Sequence, residues 1–168
     1  MTIDIDFSSV ISGALSSLIG KGFETWRTDD KFSDIKNVVV ESLLRELRVA
    51  QELIQESEKV TKDDRSVRLA LISSIELTSF AAVTKSGFPL SKMFSDEIAP
   101  EFWGQFDVNA LFSNRVCEIN SLNTLLERTY FRLKIYLVRT SCDVDVGDLD
   151  YLKFLIRASI TALAKKAR

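Results

Sequence analysis

Any chemistry in this chain must proceed without histidine, because none occurs among its 168 residues. That removes Ser–His and Cys–His nucleophilic pairs, the commonest general base and the usual zinc ligand sets. It also removes the Glu-x-x-His ligands of di-iron bundles, and helical ribonucleases built on an Arg…His motif. Carboxylates remain. Glu52 and Glu56 lie one helical turn apart, and Asp96 and Glu97 are adjacent. Helical nucleotide pyrophosphatases hold magnesium with paired Glu-x-x-Glu elements, and no such element occurs here. Glu52 and Glu56 sit among Gln51, Gln55 and Glu58, the composition of a solvated helix face. No metal or cofactor is expected, and the chain is read as not an enzyme.

Two glycine-bearing motifs fail on inspection. Gly20-Lys21-Gly22 resembles a phosphate loop, but Leu15 stands where the earlier Gly belongs and Gly22 where Ser or Thr belongs. Asp143-Val-Asp145-Val-Gly147-Asp148 resembles a calcium loop, but its third acid is missing and Phe154 occupies the bidentate Glu position. A capped turn between helices explains it better. Glu76 is the only charge between Arg68 and Lys85 on an apolar stretch. If buried it must be paired, and an Arg of the following long helix is the expected partner.

Charge is unevenly spread around a net −2. Residues 1–127 carry 13 Lys and Arg against 20 Asp and Glu; residues 128–168 carry 9 against 4. Arg128, Arg132 and Arg139 fall on one helical stripe, Lys153 and Arg157 on another, with Tyr130, Phe131, Tyr136, Tyr151 and Phe154 interleaved. These five cations are the candidate contacts for an anionic partner. The bland alternative is that they balance an acidic fold. An isoelectric point near 5.3 disfavours nucleic acid.

The elements that would position these groups are helices. The composition is 46% apolar and 27% charged, and only 6 Gly and 2 Pro interrupt the chain. Apolar residues recur at three-and-four spacing in six segments, near 6–26, 33–60, 64–86, a short one after Pro89, 107–141 and 148–168. The third is apolar nearly all round, so it is expected at the centre, and the fifth would span about 50 Å. The fold class expected is all-α. Its architecture is an antiparallel helical bundle of about four long helices, an added N-terminal amphipathic helix and a short brace helix. One domain, 1–168, is expected at this length. An amphipathic helix ahead of a bundle is a layout shared with membrane-perforating cell-death domains, without matching motifs.

The first segment is strongly two-faced. Phe7, Ile11, Leu15, Leu18, Ile19, Phe23 and Trp26 line one side, and Ser8, Ser9, Ser12, Gly13, Ser16 and Ser17 the other. A neutral small-residue face lets another backbone approach closely. With the aromatic pair Phe102 and Trp103, this apolar face is the candidate contact for a partner or a membrane. Cys117 and Cys142 are 25 residues apart, about 37 Å if one helix carries both, so free thiols in a reducing cytoplasm are expected. The acidic start MTIDID lacks the basic region of a secretory signal, and no apolar run near the 20 or so residues of a transmembrane span is expected.

Three functions follow in order. The leading one is a non-enzymatic helical interaction module docking on itself or on a larger protein, as scaffold, adaptor or regulatory subunit. The second is a membrane-active effector using the N-terminal helix, with peripheral membrane contact. The third is a carboxylate- and metal-dependent enzyme on nucleotides.

Overall fold

A computed structural model of the chain describes residues 29–61, 64–85, 90–106, 110–142 and 149–167. Among them the regular structure is helical, with one isolated bridge between Glu97 and Ser121, so the chain is all-α. The helices are α1 (Asp29–Lys59), α2 (Arg65–Ser73), α3 (Thr78–Lys85), α4 (Leu90–Met93), α5 (Pro100–Trp103), α6 (Ala110–Val116), α7 (Leu122–Ser141) and α8 (Leu149–Lys166). The expected helix with Phe7, Ile11, Leu15, Leu18, Ile19, Phe23 and Trp26 lies outside the described residues, as does the acidic turn 143–148.

Periodicity builds the long elements as expected. Along α1, Val39, Leu43, Leu47, Ala50 and Ile54 keep one face and are all buried. The helix runs 31 residues, about 46 Å. In α8 the apolar positions cover more than one face: Tyr151, Leu152, Phe154, Leu155, Ile156, Ala158 and Leu163 are buried. α8 can therefore pack against both α1 and α7, while α2 packs against the same two helices. Between α7 and α8 the buried Thr129 Oγ1 lies 2.8 Å from Ser159 Oγ, and Thr129 also donates to the Leu125 carbonyl. Both hydroxyls are thus satisfied inside the core.

Two expected helices are divided. The stretch 64–86 breaks at Ser74–Leu77, between α2 and α3. Ser74 turns its hydroxyl back onto the Ala70 carbonyl, competing with helix continuation. α2 is not the covered centre that the composition suggested, since Ile72 is its buried residue and Val67 is 49% exposed, whereas α3 buries Ser79, Phe80, Ala82 and Val83. α8 takes the central place. The window Arg65–Lys85 does reach the length and mean hydropathy, 1.4, of a spanning helix, contrary to the expectation of no such run. Its break would strand backbone groups in lipid.

The stretch 107–141 also breaks, at 117–121. Ser121 is extended (φ −141°, ψ 159°) and its Oγ accepts from Thr124 N, which makes it the N-cap of α7. The residues before α5 hold this corner. Ile98 N donates to Asn120 O, Leu122 N to Asp96 O and Asn123 N to Phe94 O. α7 is therefore 20 residues, about 30 Å.

Candidate functional site

The buried acid among the described residues is Glu46, which is not among the acids singled out from the sequence. It sits within the apolar stripe of α1, between Leu43 and Leu47, and is 9% exposed. Its carboxylate reaches the start of α3. Oε2 accepts from Ser79 N at 2.6 Å and Oε1 from Phe80 N at 3.3 Å. Leu77, in the cap position, has no side-chain oxygen, so Glu46 supplies across space what a local Ser or Asp would supply in sequence. Tyr130 of α7 donates to Oε1 at 2.7 Å, and its ring stacks on Phe80 at 3.8 Å. Burial pushes the Glu46 carboxyl above its ordinary value, with the Tyr130 hydroxyl, the Ser79 and Phe80 amides and the Ser79 hydroxyl opposing the shift. Tyr130 is pushed well above its own by burial and by the charge beside it. The acid singled out in the sequence, Glu76, is exposed instead, in the break before α3, and so is not the buried partner of an arginine.

The Phe80–Tyr130 stack forms part of the wall of an open groove of about 770 Å³. Arg115 from the end of α6, and Arg128, Arg132 and Lys134 from α7, bring four cations to it; Glu118 and Glu127 bring two acids. Arg128 donates to the Arg115 carbonyl and to Glu118 Oε2, both at 2.8 Å. Burial works against the Arg128 charge; the Glu118 carboxylate and Tyr151 more than offset it, and its pKa lies above the ordinary value. The Arg115 and Arg132 guanidiniums lie 5.1 and 5.5 Å from the Tyr151 ring centroid. Phe131 lines the same groove at 63% exposure, and Val138, one heptad along α7, is 61% exposed.

The candidate cations therefore part company. Arg128 and Arg132 share the groove. Arg139 is exposed in the last turn of α7 and does not line it. Lys153 pairs with Glu58 and Asp150 at 2.9 and 3.0 Å, which is charge balance within the fold. Arg157 lies 6.0 Å from the Phe106 ring and lines a different hollow, with Glu58 and Lys153. Phe102 and Trp103 are half-buried and pack with Phe106 against the chain; Trp103 and Phe106 both meet Phe154 of α8. Lys165 sits over the Phe102 ring at 5.1 Å.

Glu52 and Glu56 are exposed on α1, with Glu56 paired to Lys59 at 2.6 Å. Asp96 is held by Lys166 at 2.5 Å, and that bond keeps its carboxyl below the usual range. Among the described residues no cluster of acids and cysteines has the geometry to hold a metal. Cys117 and Cys142 are free and exposed. Comparison with family models, curated proteins and solved structures finds no match for the chain.

Proposed function

We propose that the protein is a non-enzymatic interaction module, an antiparallel helical bundle that docks on an acidic protein partner through the outer face of α7. One observation carries this reading. α7 already buries Leu125, Leu126, Tyr130, Leu133 and Tyr136 on its inner side. Yet Phe131, Ile135 and Val138 recur at i, i+4 and i+7 along a second side, with Phe131 and Val138 more than half exposed. A helix that has filled its own core has no internal use for a second apolar stripe. Exposed aromatics beside arginines are the residue types that dominate binding energy at protein interfaces. The cations of the groove give the partner its sign: they steer acidic surfaces in and repel basic ones.

The amphiphilic segment with Phe7, Leu15 and Trp26 is the second contact in this reading, used against the same partner or another copy. Two exposed thiols fit a reducing cytoplasm. The reading is tested by paired sedimentation and affinity capture from an extract of the source organism, comparing wild type with Phe131→Ser combined with Arg132→Glu. Phe131 is exposed and Arg132 half-buried over the Tyr151 ring, so circular dichroism and the melting temperature are measured first, and Phe131→Ser alone serves as the second variant if the pair lowers stability. Wild type sediments as an oligomer or retains proteins that the variant loses. Identical sedimentation and identical captured proteins for the two would overturn it.

A further inference from the structure

We propose that the acidic partner presents a phosphorylated side chain, received in the groove by Arg128, Arg132 and Tyr151. This rests on the docking reading above and adds the chemistry of the group that is read. Three guanidiniums converge on one tyrosine: Arg115 and Arg132 over its ring, Arg128 beside its hydroxyl. Tyr151 is 1% exposed, and among the described residues its hydroxyl proton meets no acceptor, Arg128 beside it being itself a donor. A phenol proton needs an acceptor, whereas guanidiniums offer only donors. The two carboxylates of the groove are engaged elsewhere, Glu118 by Arg128 and Glu127 by Asn123, so what is missing beside Tyr151 and Arg132 is an acceptor oxygen.

The number of groups to be satisfied selects the anion. Arg128 already gives bonds to Glu118 and to a carbonyl, while Arg132 and Lys134 meet no carboxylate among the described residues. A phosphate monoester carries close to two charges and three strong acceptor oxygens. One edge fits the Arg132 fork, another oxygen lies toward Arg128, and a third can accept a hydrogen bond from the Tyr151 hydroxyl once the guanidiniums turn toward the ligand. A carboxylate has one charge and two oxygens, and leaves part of this set unmet. The remaining surface selects a peptide over a small phosphate compound. From the cation cluster the apolar stripe runs on through Ile135 to Val138, about 10 Å along α7 from Phe131. A nucleotide or free phosphate seated on the arginines leaves that stripe bare. A segment with a phosphorylated residue and apolar residues spaced along it covers both.

The test is fluorescence anisotropy on the full chain. The probe is a labelled acidic peptide with one phosphoserine and leucines three and seven residues later, run beside its unphosphorylated twin. Inorganic phosphate and ATP serve as competitors. The phosphorylated probe should bind at least about tenfold more tightly than its twin. Arg132→Gln and Tyr151→Phe should each erase most of that ratio, Arg132→Lys part of it, and Arg139→Gln none. Val138→Ser should weaken both peptides alike. Equal binding of the twins, or a ratio untouched by Arg132→Gln, overturns the proposal. Competition by ATP or phosphate at concentrations where the phosphopeptide itself binds overturns it in favour of a small-molecule site. If neither peptide binds while Phe131→Ser with Arg132→Glu still loses captured proteins, the phosphoryl inference falls and the docking reading stands.

Discussion

Replacing Glu46 by alanine tests whether a buried carboxylate holds α3 in place. The side chain accepts from Ser79 N at 2.6 Å, Tyr130 Oη at 2.7 Å and, more weakly, Phe80 N at 3.3 Å. Truncation leaves the first two donors without acceptors, and each such buried donor costs about 1–3 kcal/mol. Tyr130 is fully buried, so its hydroxyl suffers the larger share. Ser79 and Glu46 both line a hollow of about 470 Å³ on the α1 side, through which water can partly replace the lost oxygen. The sum is about 3 kcal/mol, a large part of the roughly 5–15 kcal/mol that stabilises a typical domain. Glu46→Gln keeps the size and one acceptor oxygen, and should cost about half as much. Urea unfolding followed by circular dichroism measures the difference, with an unchanged m-value required for the comparison. A Glu46→Ala loss under about 0.5 kcal/mol, the range of a surface substitution, would refute the reasoning.

The same residue gives a pH signature with a definite sign. Burial raises the Glu46 pKa in the folded state above its ordinary value, despite the hydrogen-bond donors that favour the anion. The folded protein therefore binds this proton more tightly than the unfolded chain does. Its contribution is fully present below the ordinary carboxyl pKa and is lost as pH rises through the raised one. Glu46→Gln cannot titrate, so the gap between wild type and Glu46→Gln should narrow as pH rises from about 4 to about 7. A gap that widens over that range means the hydrogen bonds outweigh desolvation.

Two further outcomes follow from the packing. Leu155→Ala, at a fully buried position of the helix that packs on both α1 and α7, should cost about 3–4 kcal/mol in urea unfolding. A loss below about 1 kcal/mol would show that α8 is not the centre of the core. Lys166→Ala removes the partner of Asp96, a partly exposed pair, and should cost under about 1 kcal/mol at neutral pH. Because Lys166 holds the Asp96 carboxyl below the usual range, that cost should fade as pH falls through the lowered carboxyl pKa, and a cost that grows on acidification contradicts the assignment.

Helical class was legible in the sequence because Val39, Leu43, Leu47, Ala50 and Ile54 repeat at a period that only a helix buries on one side. The breaks were not, because the apolar pattern runs through them. Val116 and Leu122 are both buried, one before the corner and one after it, and nothing in their spacing shows that the chain turns between them. Ser121 was the available signal: a residue suited to capping stands directly before a run of good helix formers. Missing that corner also hid the groove. In one continuous helix Arg115 and Arg128 would stand about 20 Å apart along the axis. The reversal at 117–121 brings Arg128 Nη1 to within 2.8 Å of the Arg115 carbonyl. Glu46 escaped notice for the opposite reason. It lies within the stripe, three residues after Leu43 and next to Leu47, and a single acid there reads as noise until a second helix is seen to begin against it.

The acid and the groove are one structure seen from two sides. Glu46 caps α3 and accepts the Tyr130 hydrogen bond; α3 presents Phe80; Phe80 stacks on Tyr130, and both rings line the groove with the cations. Loosening the cap would therefore change the shape of the groove without touching an arginine. Binding lost on Arg132→Gln identifies a contact only if the stability and pH dependence of that variant match wild type. Binding lost on Glu46→Ala identifies a support, because the residue is shielded from the groove by the very stack it holds.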